Sequence, residues 1–252
     1  PYGGFRVKKL MTQYRSNPGI GKFFSAFKYG DKLNHYKDGK PIIQIGSHKC
    51  DINVLHYDVK SKDEHENPFQ KIFVYGEYSI YSVFPTIISV YFAKMIANSF
   101  PEKSVSIICP YGTQTRLMRE IVDKEPEFQN IDINVSTVHG YQGNEADIVI
   151  FLLIPPKMNP FSYSHFNNEN LINVGISRAK EALIVLAPNP DNISNHYEFN
   201  RFLQSYEPNN EDTCISSNFE DNDQILERMV SINNFNDFNV INVENVMTEE
   251  VK

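Results

Sequence analysis

Short apolar segments alternate with segments of helical periodicity along most of the chain. The apolar segments predict strands at residues 52–59, 104–109, 131–138, 147–153 and 182–187, and the segments between them predict helices at 86–100, 112–124 and 171–180. Residues 148–153 are apolar without alternation, which is typical of a parallel strand covered by helices on both faces. The pattern therefore predicts an α/β fold with an open parallel sheet. Ligands of such sheets bind beyond the carboxyl ends of the strands, so we expect the chemistry in the residues that follow each strand.

The composition changes at Pro188, which divides the chain into a lobe of residues 1–187 and a tail of residues 188–252. The tail holds 14 Asn in 65 residues and is punctuated by Pro190 and Pro208. Such a composition favours loops and weak order. Two short helices are predicted within the tail, at residues 195–206 and 223–232.

The distribution of charge decides whether nucleic acid is a candidate ligand. The formal net charge is −7 at pH 7, which disfavours binding to a phosphate backbone. Residues 188–252, however, hold 13 acidic and 3 basic residues, whereas residues 1–187 hold 18 acidic and 21 basic residues. The lobe is mildly basic by itself, and nucleic acid therefore stays a candidate.

Several classes of protein are disfavoured by residue usage. The three cysteines, Cys50, Cys109 and Cys214, are odd in number and far apart, which argues against a disulfide framework and a zinc site and predicts reduced, structural residues. The histidines are scattered, so we expect no metal site. The sequence has no apolar run of about 20 residues, and its first residues lack the features of a signal peptide. We expect a soluble, cytoplasmic fragment with no membrane partner.

Four segments with candidate chemistry follow one another along the lobe. In chain order they are Gln13-Tyr14-Arg15-Ser16-Asn17-Pro18 with the aromatic stretch after it, Pro110-Tyr111-Gly112-Thr113-Gln114, Thr137-Val138-His139-Gly140-Tyr141-Gln142-Gly143-Asn144-Glu145, and Asn173-Val174-Gly175-Ile176-Ser177-Arg178-Ala179.

Each segment resembles a motif of the Upf-like superfamily 1 helicases, and the four occur in the order typical of that family, over about residues 11–187. The resemblance implies a RecA-like lobe of the P-loop-NTPase type, the second and carboxy-terminal motor lobe of an ATP-dependent helicase. Such a motor moves along single-stranded DNA or RNA, with 5′ to 3′ travel implied. The sequence departs from the family pattern at Ser16-Asn17, where Met-His is commoner, at Gly175-Ile176, where Ala-Leu is commoner, and at Phe84-Pro85-Thr86, where many relatives have an Asn-x-x-Glu-Ala helix start.

Arg15 and Arg178 are the candidate catalytic residues. A two-lobed motor hydrolyses ATP in a cleft where one lobe holds the phosphates and Mg²⁺ and the other supplies positive charge to the transferring phosphoryl group. A guanidinium group stays charged and grips phosphate oxygens with two donors, so both arginines fit that role. The alternative is that each arginine forms an ordinary ion pair or lies on the surface.

Further residues are candidates for contact with the nucleotide. The resemblance implies such a contact for Glu145, which shares a loop with Gln142 and Gly143. A glycine lets the backbone turn tightly and approach a ligand, although it also marks ordinary turns. Tyr14 is a candidate for stacking on the base, with packing in the core as the alternative, and Glu145 has the alternative of a solvated loop carboxylate.

Nucleic acid is the second expected ligand, bound without sequence preference. Thr137 and Thr113 can offer hydroxyl and backbone donors to phosphates, and Tyr111 or His139 can rest against a sugar or base. Thr113 has the alternative role of a helix cap, and His139 that of a structural histidine.

A phosphate-binding loop is missing from the sequence. It requires Gly-x-x-x-x-Gly-Lys-Ser/Thr, and the segment Gly19-Ile20-Gly21-Lys22 is followed by Phe23. We therefore expect that an upstream lobe of the same polypeptide holds most of ATP and Mg²⁺, and that the chain alone is inactive. The rival hypothesis is a catalytically silent nucleic-acid-binding or regulatory module with a helicase-like fold.

Overall fold

A computed structural model describes residues 9–44, 49–57, 72–75, 79–124, 132–154, 168–188 and 213–216. Its centre is a six-stranded sheet in which every neighbouring pair of strands is parallel, with the order β12-β5-β11-β10-β8-β9. The strands of this sheet are β5 (Ile52–Tyr57), β8 (Val105–Cys109), β9 (Ile133–Thr137), β10 (Ala146–Leu152), β11 (Ala179–Pro188) and β12 (Thr213–Ser216). The prediction of an α/β fold with an open parallel sheet is confirmed.

Four helices of the described part of the chain cover the two faces of the sheet, and we number them α1 (Pro18–Tyr29), α2 (Val83–Ser99), α3 (Gly112–Lys124) and α4 (Glu169–Ile176). The central strand β10 shows how both faces are buried. Ile148, Ile150 and Leu152 pack in one hydrophobic cluster with α2 and α3. Val149 and Phe151 pack in the other cluster with α1 and α4. Successive side chains of a strand point to opposite faces, so the uninterrupted apolar run reflects two cores.

The ends of two helices follow directly from local sequence. Pro18 opens α1, where the missing N–H of proline is not needed, and Gly30 ends it in the left-handed conformation with φ 60°. The side chain of Asn168 caps α4 by accepting the N–H groups of Asn170 and Leu171, both at 3.1 Å.

Smaller strand pairs surround the main sheet. They are the parallel pair β1 (Thr12–Gln13) with β2 (Asn34–His35), and the antiparallel pairs β3 (Ile43–Gln44) with β4 (Lys49–Cys50) and β6 (Ile72–Tyr75) with β7 (Ser79–Ser82). The sequence pattern did not predict these pairs or α1, because strands of two to four residues and a helix rich in Gly and Phe give little periodic signal.

The five predicted strands and three predicted helices are confirmed, with one correction at the end of the lobe and one in the tail. Helix α4 stops at Ile176, so Arg178 lies in the turn before β11 instead of on the helix. Residues from Ala179 onward pair with β10, and this sheet pairing overrides the helical pattern of the sequence. The tail also supplies β12 to the edge of the sheet beside β5, where the sequence predicted only loops and helices. The two predicted tail helices lie outside the described residues.

The expectation of three reduced cysteines is wrong for Cys50, which is disulfide-bonded. Spacing along the chain could not show this, because a disulfide depends on spatial proximity. Cys109 is free and buried, and burial raises its pKa to about 11. Within the described ranges no group of His, Cys, Asp or Glu is arranged to hold a metal ion, and none of their helices is long and apolar enough to cross a membrane.

Candidate functional site

The predicted site residues divide between the two edges of the main sheet. Tyr111 and Thr137 lie where β8 and β9 end, at the carboxyl edge, whereas Glu145 and Arg178 directly precede β10 and β11, at the amino edge. Glu145 lies at the far end of the loop that follows β9, and Arg178 precedes β11, the strand that it was predicted to precede. Two parallel strands are joined by a connection that crosses from the carboxyl edge of the sheet back to its amino edge. The connections before β10 and β11 therefore place Glu145 and Arg178 at the amino edge. A five-residue strand such as β8 separates the edges by about 17 Å.

Arg15 and Glu145 form an ion pair at the amino edge. Arg15 Nε donates to Glu145 Oε2 at 2.8 Å, and Arg15 Nη1 donates to the carbonyl of Ser177 at 3.0 Å. The two side chains are 35% and 46% exposed, so water screens the pair and a ligand can reach both groups. These bonds join three segments that are far apart in the sequence.

Arg178 lies beside this pair. Its Nε donates to the carbonyl of Val174 at 2.9 Å, and its Nη1 donates to the carbonyl of Asn144 at 3.4 Å. Burial lowers the pKa of Arg178, and the nearby positive charge of Arg15 lowers it further. Two guanidinium groups that repel one another at an accessible edge form a site where an anion would be stabilised.

Gln13 fixes the backbone that carries Arg15. Its Oε1 accepts from the N–H groups of Arg15 and Ser16 at 3.0 and 2.9 Å, and its Nε2 donates to the carbonyl of Ser16 at 2.9 Å. Ser16 is completely buried, and its hydroxyl donates to the carbonyl of Ala179 at 2.6 Å. The first motif is thereby joined to the beginning of β11, next to Arg178.

Asn17 continues this attachment in the interior. Its N–H donates to the carbonyl of Lys180 at 2.8 Å, and its Nδ2 donates to Asp51 Oδ1 at 3.1 Å. The other carboxylate oxygen of Asp51 accepts the N–H of Gly19 at 3.0 Å, in the first turn of α1, where the helix dipole favours a negative charge. Sequence reasoning missed the structural roles of Gln13, Asn17 and Asp51, since the signal for the first two was only their membership of the arginine-containing motif.

Tyr14 lies on the surface next to Arg15. Its ring is 66% exposed and lies 4.9 Å from that of Tyr36, between centroids, with an interplanar angle of 46°. The alternative of core packing is therefore wrong for Tyr14. Tyr36 was not among the predicted site residues, because only its contact with Tyr14 in the folded chain distinguishes it from other tyrosines.

The connection between β9 and β10, residues 138–145, carries Gln142 and Gly143 on its exposed side. Gly143 has a φ of 95°, which a side chain would disfavour. Tyr141 anchors the connection, because its buried ring shares a hydrogen bond of 2.7 Å with the hydroxyl of Ser106 on β8. Gln142 and Gly143 therefore lie between Tyr141 and Glu145, on the way to the amino edge.

Two of the four predicted nucleic-acid residues are accessible at the carboxyl edge. His139 is exposed and Thr137 is half-buried, with its hydroxyl accepting the N–H of Gly140 at 3.0 Å. Tyr111 is only 2% exposed, so its ring is in the core and not placed to stack on a base. Thr113 is 8% exposed and its hydroxyl donates to the carbonyl of Ile80 at 2.9 Å, so this hydroxyl attaches α3 to β7 and caps no helix.

Gln114, in the second segment, joins α3 to the start of α2. It is completely buried at the start of α3, and its Oε1 accepts the N–H of Ser82 at 2.8 Å. Its Nε2 donates to the hydroxyl of Thr86, which in turn donates to the carbonyl of Ser82 at 2.6 Å. The segment Phe84-Pro85-Thr86, which departs from the family pattern, is thus part of a buried polar contact between α2 and α3.

The parallel sheet with helices on both faces defines an α/β lobe. The chain belongs to the AAA domain family, whose sequence profile matches residues 4–190. It is similar to the DNA polymerase alpha-associated DNA helicase A of Saccharomyces cerevisiae, with 26% identity over 191 residues, which cover 71% of this chain and 27% of that protein.

Other relatives carry similar names. The putative helicase mov-10-B.1 of Danio rerio is 26% identical over 251 residues, which cover 90% of this chain and 24% of that protein. The probable helicase MAGATAMA 3 of Arabidopsis thaliana is 28% identical over 193 residues, which cover 73% and 22% of the two chains. The chain thus spans about a quarter of the length of these relatives. Among solved structures, the C-terminal domain of a possible DNA helicase from Lactobacillus plantarum matches with a TM-score of 0.43 and 13% identity, covering 81% of this chain and 98% of that chain.

Proposed function

We propose that the chain is the second motor lobe of an ATP-dependent superfamily 1 helicase. In this role it supplies Arg15 and Arg178 to the phosphates of ATP and binds single-stranded nucleic acid, along which the motor travels 5′ to 3′. The observation that carries the proposal is the convergence of Arg15 and Arg178 beside Glu145 at one accessible edge, although they lie in separate segments of the sequence.

The arginines retain donors for a ligand. A guanidinium group has five N–H donors, and the described contacts of Arg15 and of Arg178 each use two of them. The remaining donors can bind phosphate oxygens as charge redistributes during phosphoryl transfer. Fixed cations of this kind stabilise a transition state without reorganisation, because Glu145 and the carbonyl of Ser177 already hold the side chain of Arg15, and the carbonyl of Val174 holds that of Arg178.

The nucleotide contacts follow from the same edge. Glu145 uses Oε2 for Arg15, and its Oε1 is available to accept a ribose hydroxyl. Tyr14, Gln142 and Gly143 are exposed close to these two residues in sequence and complete this half of the site. Mg²⁺ and most of the triphosphate would be held by an upstream lobe of the same polypeptide, since the sequence of this chain has no phosphate-binding loop.

Single-stranded nucleic acid would bind at the carboxyl edge. Thr137 and His139 are accessible there, and the lobe of residues 1–187 carries more basic than acidic residues. Contacts of this kind position a phosphate backbone and read no sequence. Residues 138–145 run from that edge to Glu145, so the two ligands would meet opposite ends of one short connection.

The test compares the full-length protein with the isolated 252-residue chain in ATP hydrolysis, with and without single-stranded DNA and RNA. We expect stimulated hydrolysis by the full-length protein and none above background by the chain, because the chain lacks the phosphate-binding half. Hydrolysis by the purified chain would refute the division of the site between two lobes. A full-length protein that binds single strands without hydrolysing ATP would be the silent binding module instead.

A further inference from the structure

We propose that Tyr29, the last residue of α1, is a positioning residue for Arg178. Its hydroxyl group holds Asn173 on α4, and Asn173 begins the turn of backbone that holds the guanidinium group of Arg178. The inference rests on the proposed function, because it concerns an arginine that acts there on the phosphates of ATP. Tyr29 belongs to the aromatic stretch after the first motif, and residue type and spacing predicted no role for it.

Both parts of the Tyr29 side chain are fixed. Its ring packs edge-to-face against the ring of Phe24, which is 6% exposed, with centroids 6.5 Å apart and an interplanar angle of 74°. Its hydroxyl oxygen accepts a hydrogen bond from Asn173 Nδ2 at 3.2 Å. An aromatic ring with a polar end can join a core to a surface, and Tyr29, which is 45% exposed, joins α1 to α4 in this way.

The amide group of Asn173 is oriented by this hydroxyl. Among the described residues, Tyr29 is the only hydrogen-bond partner of the Asn173 side chain, and Asn173 Oδ1 is buried without one. The bond itself is exposed to water, which can replace it at little cost in stability. The contact therefore restricts the orientation of Asn173 more than it stabilises the fold.

Asn173 begins the turn that ends at Arg178. Its carbonyl accepts the N–H of Ser177 at 3.0 Å, and the carbonyl of the next residue, Val174, accepts Arg178 Nε at 2.9 Å. The carbonyl of Ser177 accepts Arg15 Nη1 at 3.0 Å. A shift of Asn173 is therefore transmitted within about one turn of helix to the carbonyls that hold both arginines.

Tyr29 also lies within electrostatic range of Arg178 itself. Burial is the largest effect on the pKa of Arg178 and lowers it, while Tyr29 is one of the neighbours that raise it. The end of α1 is thus close to the guanidinium group in space, although the two residues lie near opposite ends of the lobe in sequence.

A second contact joins the same two helices without reaching Arg178. Lys28 Nζ and Glu169 Oε2 form an ion pair of 2.6 Å at the first residue of α4, with side chains 28% and 47% exposed. Such pairs contribute little to stability. Lys28 and Tyr29 are neighbours on α1, so variants of the two separate the joining of the helices in general from the positioning of Arg178.

The experiment measures ATP hydrolysis by the full-length protein as a function of ATP concentration, with saturating single-stranded DNA or RNA. Tyr29→Phe keeps the ring and removes only the hydroxyl group. Since one hydrogen bond that positions Arg178 is lost, kcat should fall by about 3- to 10-fold, with the KM for ATP and the thermal midpoint nearly unchanged. Lys28→Met is the control, and it should change none of these quantities.

A double-mutant cycle tests whether Tyr29 acts through Asn173. Asn173→Leu keeps a similar volume without the amide group and should lower kcat at least as much as Tyr29→Phe. The variant with both substitutions should lose no more than Asn173→Leu alone, because both changes remove the same interaction. Losses that multiply would show that the two residues act independently and would overturn the positioning role.

Arg178→Ala, measured in the same assay, separates this inference from the proposed function. If Arg178→Ala loses turnover while Tyr29→Phe stays within about twofold of wild type, or raises KM instead of lowering kcat, only the positioning role fails. The same conclusion follows if Lys28→Met lowers kcat as much as Tyr29→Phe does. If Arg178→Ala retains turnover, the proposed function of Arg178 fails and the positioning role fails with it.

Discussion

Replacing Arg178 by Ala should separate catalysis from folding. The substitution removes two hydrogen bonds from a charged donor to the carbonyls of Val174 and Asn144. Each bond of this kind contributes about 1.5–3 kcal/mol when its partner stays buried, but Asn144 is exposed and its carbonyl regains water. Removing the repulsion between Arg178 and Arg15 offsets part of the remaining loss. We therefore expect the free energy of unfolding to fall by only about 1 kcal/mol, or about 2–4 °C in thermal midpoint.

Turnover should change far more. Arginine fingers contribute about 10³ to 10⁵ in rate, which corresponds to about 4–7 kcal/mol of transition-state stabilisation. Such a cation acts mainly on the transition state, so nucleotide affinity should fall modestly. Arg178→Lys should restore little activity, because an ammonium group cannot reproduce the two-donor geometry.

The assay is single-strand-stimulated ATP hydrolysis by the full-length protein, with thermal unfolding measured on the same samples. Arg119→Ala is the matched control, because Arg119 on α3 also donates its Nε to a backbone carbonyl, that of Val135, at 2.8 Å. We expect a similar small loss of stability and no loss of turnover for that variant. If Arg178→Ala keeps more than about a tenth of wild-type turnover, far outside the range of arginine fingers, Arg178 does not act on the phosphates.

Three further outcomes are expected. Gly21→Ala should lower the free energy of unfolding by about 1–3 kcal/mol and reduce turnover. The added Cβ would lie 2.3 Å from the His35 ring and would displace the side chains that hold Arg15. Gly112→Ala is the control, because no atom lies within 4 Å of its Cβ, and it should change neither quantity in the same assays. Burial disfavours the charged carboxylate of Asp147, but hydrogen bonds from Lys180 and Ser104 outweigh the burial and lower its pKa to about 2. The charged carboxylate therefore stabilises the fold at pH values above its ordinary pKa, and this stabilisation is lost as the pH falls toward about 2. Asp147→Asn should therefore lower the free energy of unfolding by about 2 kcal/mol at pH 7, and a difference that persists unchanged at pH 2 would contradict this account. Removing residues 217–252, which hold 8 acidic and 2 basic residues, leaves β12 in place and should strengthen single-strand binding at low salt, because less negative charge repels the phosphates. The gain in binding should shrink as salt is added, since charges more than about 10 Å apart are largely screened at 0.1 M.

The main sheet was predictable because its strands carry a strong signal. Residues 148–152 of β10 are buried on both faces, and such strands have an uninterrupted apolar sequence that few other elements show. Strand β12 was not predictable in the same way. Its four residues lie in a polar, Asn-rich tail, and only their pairing with β5 makes them a strand. The end of α4 was also misplaced, because the turn at Arg178 depends on the sheet partners of the residues that follow.

The sequence by itself determined the α/β class, the motif order and the choice of Arg15, Glu145 and Arg178 as candidates, because residue type and spacing carry that information. Only the tertiary structure decided where they meet. The motifs give no direction of strand crossing, so the sequence could not show that Glu145 and Arg178 meet at the amino edge of the sheet. Nor could it reveal that Tyr111 is buried while Tyr14 is exposed beside Tyr36. Burial and contact between residues far apart in the chain arise from packing, and packing is set by the whole fold.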